Sequence, residues 1–358
     1  MPTPAASTNQ ARGFSLVEIL IALVITMLVM TSVFALLQKS QKSFAREPEV
    51  SDMNGNARAG LDRISQDLAV AGLATPPNAA VMWSDGGGLT PDGIGIVYAD
   101  PEVPVSRPWP CPVAGPCATI ATSAVVNVDP LSFSPQPPNF ADAYQEGMVL
   151  FAIQGPNGDP ACDTVAPGLV AFQLAAAPAC TGAEGPANGP SACENLSLSI
   201  GPAPSVTDLG PPTGFESDVS LHCAVIGLFH VVQYRVSPLP PAANPQLERR
   251  DAALGGPWSA VAGNIENLQV QYVQGLNEVF EDTPALLPFG ADPSTWVTRV
   301  RITVGGRSES ANLEGSTEGV FAAGDAYMRQ TFTTTVSLRN QLSQAQQKAI
   351  ELKLDNWN

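Results

Sequence analysis

The chain has 358 residues, with 17 Lys and Arg against 33 Asp and Glu, so its formal net charge is −16. That balance, with a pI near 4.4, argues against phosphate-backbone binding, which needs a basic patch, and no nucleic acid is expected as a partner. Hydrophobic residues make up 44% of the chain, while 31 glycines and 34 prolines, about 18%, lie between the average and the level of a disordered chain. The expectation is a folded protein rich in turns.

The N-terminal stretch is the most informative. Residues Phe14 to Leu37 form a run interrupted by one charge, Glu18, and nothing from Ile19 to Gln38 is ionisable. As a helix, 24 residues at ~1.5 Å each reach about 36 Å, more than the ~30 Å hydrocarbon core of a bilayer. The run is longer than the ~7–15-residue core of a secretory signal, and Gln38-Lys39-Ser40-Gln41-Lys42 stands where a small-residue cleavage site would be. The segment is therefore expected to stay in the mature protein. Glu18 admits two readings: an acid stabilised by the dipole of a first helical turn, or an intramembrane carboxylate with a role.

Helical spacing resumes at Leu61, Ile64, Leu68 and Ala71. Arg58, Asp62, Arg63 and Asp67 are assigned to the other faces. The expectation is one helix over 14–73, with a kink or brief melting at Pro48 and a stop at Gly72. Its membrane half covers 14–37 and its amphipathic half 38–75.

From about residue 90 the pattern becomes β-branched and alternating. Strands are expected at Gly93–Ala99, Ala124–Val128, Gly147–Ile153, Gly168–Leu174 and Leu196–Ile200. Others are expected at His222–Val236, Leu268–Gln274, Val297–Val304 and Thr331–Leu338. Residues 76–340 thus read as a β-rich globular domain, and Leu342, Ala345, Ala349 and Leu352 suggest a helical tail over 341–358. The fold class is α+β, a long N-terminal helix on an antiparallel, disulfide-containing domain.

Six cysteines, Cys111, Cys117, Cys162, Cys180, Cys193 and Cys223, lie in Pro/Gly-rich surroundings with no CxxC pair. An even count in such loops reads as disulfides and an oxidising compartment, buried thiols being the alternative. Cys111–Cys117, Cys162–Cys180 and Cys193–Cys223 are the expected pairs.

No catalytic or metal motif stands out. His222 and His230, on an unbroken strand, would sit about 26 Å apart, too far to share an ion, and are read as structural. Asp85-Gly86-Gly87-Gly88 lacks the Lys-Ser/Thr of a phosphate-binding loop, and Glu281 and Asp282 lack calcium-loop spacing. No enzymatic activity, metal or cofactor is expected.

Arg12-Gly13-Phe14-Ser15-Leu16-Val17-Glu18, followed by some twenty apolar residues, resembles the class III signal of type IV prepilins and type II secretion pseudopilins. The resemblance implies a leader, 1–13, cut between Gly13 and Phe14 by a prepilin peptidase, with N-methylation of the Phe14 amine. It also implies that Glu18 faces that amine on a neighbouring subunit. The buried charge logic agrees, since an α-amine is mostly cationic at neutral pH and needs an anion inside an apolar bundle. Asn54-Gly55-Asn56-Ala57-Arg58, Leu61 to Leu68, Asn264 to Tyr272 and Val336 to Asn340 are similar to PilW-type minor pilins, relatives of pseudopilin J. The family implies partnership with other minor and major pilins through the N-terminal helix, and with an inner-membrane assembly platform. It also implies a periplasmic domain before assembly and a pilus or cell-surface location after it. Three other readings stay open: a secretion pseudopilin, a pilus-displayed adhesin and a single-pass anchored enzyme. One count opposes the orientation: Lys39, Lys42 and Arg46 follow the span, whereas Arg12 and the Met1 amine precede it.

Overall fold

The computed structural model describes residues 15–73, 80–87, 90–100, 102–108, 125–134, 143–154, 168–181, 195–201, 219–238, 244–252, 256–276, 278–283, 296–311 and 326–340, with a few single positions and short pieces between them. Gly13, Phe14, the leader, the 341–358 tail and Cys111, Cys117 and Cys193 lie outside the described residues.

Helix α1 runs unbroken over Leu16–Ala69, with Pro48 inside it. The expected melting at Pro48 does not occur, since a proline removes one hydrogen bond while the turns on either side hold theirs. The helix ends on Val70, and Gly72 follows at φ 75°, donating its N–H to Val97 O at 2.9 Å. Glycine reaches that left-handed conformation without strain, which is why the chain turns there onto a strand.

Three antiparallel sheets follow. The first has five strands in the order β1 (Val81–Ser84), β2 (Gly93–Ala99), β9 (Phe229–Ser237), β10 (Gln246–Asp251) and β11 (Ser259–Gly263). The second runs β12 (Ile265–Gln274), β13 (Val297–Ala311), β15 (Ala326–Ser337) and β14 (Thr317–Glu318). The third runs β3 (Val125–Val128), β7 (Asn195–Gly201), β5 (Gly168–Leu174), β4 (Val149–Gln154) and β8 (Ala224–Gly227), with β6 (Ala179–Thr181) beside β7. The α+β antiparallel class is as expected.

Side-chain alternation explains how the sheets share two cores. On β4, Phe151 and Ile153 enter the core that contains the helix, while Leu150 and Ala152 enter a second core with Phe172, Leu198 and Ile226. A period of two sends neighbouring residues to opposite faces, so a strand buried on both sides joins the layers.

Two expectations need correction. The 222–236 segment is not one strand: Leu221–Cys223 is a 3-10 turn, and Leu228 separates β8 from β9. A Cβ on Gly227 would stand 2.7 Å from Val105 Cγ1, so glycine there permits the close approach of Val105. The cysteine pairing also differs. Cys162 is bonded to Cys223, which overturns Cys162–Cys180 and Cys193–Cys223. The reason lies in the ladder: Gln154 at the end of β4 pairs with Ala224 at the start of β8, which brings the segments holding the two cysteines to the same end. Cys180 is also disulfide-bonded, to a partner outside the described residues.

Candidate functional site: an uncovered helix half and its seat

Helix α1 meets two different environments. From Leu16 to Leu37 it presents large apolar side chains to the outside, among them Leu16 at 75%, Leu28 at 66% and Leu36 at 69% exposure. This half is long and apolar enough to cross a membrane. Its three hydroxyls donate back along the helix: Thr26 to Ala22 O at 2.7 Å, Thr31 to Met27 O at 2.8 Å and Ser32 to Leu28 O at 2.9 Å. No hydroxyl there depends on water, which suits hydrocarbon, where an unsatisfied polar group is costly. Glu18 sits in the first turn, where its backbone N–H bonds Ser15 O at 3.0 Å. Its side chain is exposed.

The second half is seated on the domain. Met53, Ala57, Gly60, Leu61, Ile64 and Leu68 are buried, the stripe a 3.6-residue period makes. The expected Leu61, Ile64, Leu68 and Ala71 are all in it. Small residues let the backbones approach: a Cβ on Gly60 would be 2.9 Å from Leu247 Cδ2, and one on Gly306 would be 3.1 Å from Met53 Cγ.

Three polar contacts fix the seat along its length. Near its lower end the Glu49 carboxylate accepts Ser310 Oγ at 2.7 Å and the Glu309 N–H at 2.8 Å. The Ser310 hydrogen bond holds that carboxyl below the usual carboxylate range, against the opposing effect of burial. Higher up, Asp67 Oδ2 accepts Tyr234 OH at 2.5 Å and Arg249 Nε at 2.8 Å. At the top Asn340 donates to Ala71 O at 3.0 Å. Asp67, expected on the faces away from the apolar stripe, is only 6% exposed. No spacing rule marks it, because its partners come from strands 167 and 182 residues away.

Other polar groups among the described residues make local contacts. His230 stacks on Tyr98, with ring centroids 5.0 Å apart, and its Nδ1 lies 2.5 Å from Asp251 Oδ2 while Nε2 is 3.5 Å from Asp100. The hydrogen bond to Asp251 raises its pKa against the effect of burial. His222 lies in the 3-10 turn, away from this cluster in the chain. Asp92 stands behind the glycine loop, accepting the N–H groups of Gly86 and Val270 at 3.1 and 2.8 Å. Burial raises its pKa. Asp282 accepts Gln271 Nε2 at 3.0 Å. Among the described residues no three His, Cys, Asp or Glu side chains are grouped to hold a metal ion.

Compared with known proteins, residues 8–34 match the prokaryotic N-terminal methylation motif. No curated protein and no solved structure matches the chain. The matched segment contains Gly13, Phe14 and Glu18 and covers most of the exposed helix half. The methylation motif, with the apolar helix half it overlies, supports a type IV pilin-like protein.

Proposed function

We propose that this chain is a minor pilin of a type IV pilus, taking part in initiating or building the filament. One observation carries the reading: a methylation-motif helix half that the domain leaves uncovered, continuous with a half that the domain holds firmly. In the membrane, lipid covers the first half; in a filament, the same half of neighbouring subunits does. Peptidase cleavage after Gly13 exposes the Phe14 amine, which is then methylated. Glu18 of one subunit pairs with that amine on the next and sets the axial register. An unpaired charge in such a bundle is strongly unfavourable, so the pair selects one stagger. Other minor and major pilins and the assembly platform are the partners, and the β-rich domain carries partner choice or tip display outside the cytoplasm.

Mass analysis of the purified protein tests processing: an N-terminus at methylated Phe14 supports the reading, and Met1 retained in the mature protein overturns it. Glu18→Ala leaves cleavage largely intact but lowers incorporation into sheared filaments, and equal incorporation refutes the charge pair. A deletion strain that keeps its pili but loses exoprotein secretion assigns the chain to a secretion pseudopilus.

A further inference from the structure

Just past the apolar half of α1 stand Lys39, Lys42 and Arg46, all exposed. At 3.6 residues per turn they fall within a sector of roughly 60°, so they form one face. No acid lies between them and Glu18. Among the described residues none of the three is in an ion pair.

Their height above the span is informative. With ~1.5 Å of rise per residue, Lys39, Lys42 and Arg46 stand about 3, 7 and 13 Å beyond Leu37. The headgroup layer on each side of a bilayer is about 5–8 Å deep. Lys39 and Lys42 then lie within it, and the long stem of Arg46 reaches back to it.

The rest of the chain has the opposite sign. Glu47, Glu49 and Asp52 come next along the helix, and Glu309 closes the same end of the domain beside Glu49. Glu47 and Glu49 lie about 15 and 18 Å beyond Leu37, and so about 7–13 Å past the headgroup layer, near or beyond the ~8–10 Å over which salt leaves a charge unscreened. The anionic body is thus held off the surface, and the three cations alone are placed to meet it.

We propose that Lys39, Lys42 and Arg46 form a binding face for anionic phospholipid headgroups, in whichever leaflet receives the end of the apolar helix half. This rests on reading that half as a membrane span and holds for either orientation. The face tethers the unassembled subunit, and entry into a filament releases it. Each basic side chain at an anionic surface strengthens association about five-fold, so three give up to about a hundred-fold.

The test uses the full chain in nanodiscs of phosphatidylcholine alone and of an equal mixture with phosphatidylglycerol. Lipids retained by the protein are counted by native mass spectrometry, and amide exchange is followed over residues 38–47. The expected result is enrichment of phosphatidylglycerol with slowed exchange, both abolished by K39Q/K42Q/R46Q or by high salt and kept by K39R/K42R. Equal retention of the two lipids, or enrichment that persists in the triple glutamine variant, overturns the proposal while leaving the span intact. Failure of the chain to enter nanodiscs refutes the span itself. Slowed exchange that appears only in filaments and ignores phosphatidylglycerol assigns the cations to a neighbouring subunit, and also overturns it.

Discussion

Asp67 is where the seat of the helix is most exposed to a single substitution. It is the only acid of the buried helix stripe, and its Oδ2 serves both Tyr234 OH and Arg249 Nε, on β9 and β10. Replacing it with alanine leaves a fully buried phenol without an acceptor, which costs about 1–3 kcal/mol. It also strips Arg249 of its anion. Breaking a buried pair costs about 3–5 kcal/mol, but the Arg249 side chain is 21% exposed and water makes up part of the loss. The sum expected for Asp67→Ala is about 3–4 kcal/mol. Asp67→Asn keeps an acceptor oxygen and loses only the charge, so about 1–2 kcal/mol is expected. Urea unfolding of the full chain in detergent micelles, followed by tryptophan emission, measures both. At a slope near 3 kcal/mol per molar, Asp67→Ala lowers the midpoint by about 1 M. A shift under a third of that, or equal shifts for the alanine and asparagine variants, refutes the assignment of Asp67 as the polar clasp between helix and sheet.

Three further outcomes are expected. Cys223→Ser opens a loop of 61 residues and on the chain-entropy account costs about 4 kcal/mol, read as a lowered urea midpoint that Cys162→Ser reproduces. The raised pKa of His230 means that its ion pairs are complete below about pH 6.5 and disappear as pH rises through the higher folded value. The stability gap between wild type and His230→Gln is therefore larger at about pH 5.5 than at about pH 9, and a gap constant across that range refutes the link. Glu49→Ala lowers the protection factors of the Glu309 and Ser310 amides, measured against the intrinsic exchange rate at the same pH, and acidification below the usual carboxylate range lowers them in the wild type too, because a depressed carboxyl stabilises the fold only while ionised.

Much of this architecture is legible in residue order, and the gaps have physical causes. The apolar half and the Leu61–Ile64–Leu68–Ala71 stripe follow from periodicity alone. Strands β2 and β5 match their apolar, β-branched runs end to end. By contrast β10, Gln-Leu-Glu-Arg-Arg-Asp, buries only Leu247 and shows no strand signal. Its arginines are there to reach across, Arg249 to Asp67 and Arg250 to Gln233. Strand β13 continues seven residues past the expected end at Val304, through Gly305 and Gly306. Two glycines read as a break, yet they serve close packing: a Cβ on Gly305 would meet Asn267 Cβ at 3.0 Å, and one on Gly306 would meet Met53. The Cys162–Cys223 bond was hidden for a related reason, since neighbours in the ladder are remote in the chain. Contacts made at long range leave no local signature.

The same range argument explains how one helix serves two phases. Among the described residues every polar contact that holds α1 to the sheets lies at Glu49 or beyond, while positions 16–44 are exposed throughout. The two halves therefore share a backbone but no side-chain partners, and sites without shared partners perturb stability additively. Changes at Met53, Asp67 or Ile64 act on the domain and leave the partition of Leu16–Leu37 alone; changes in the apolar half act on partition and packing and leave the domain folded. On the proposed function, that separation lets the first half exchange lipid for neighbouring helices without unfolding the second. Burial on the domain would forbid it: had residues 16–44 packed on a sheet, each transfer would cost the fold about 25 cal/mol for every Å² of apolar surface uncovered.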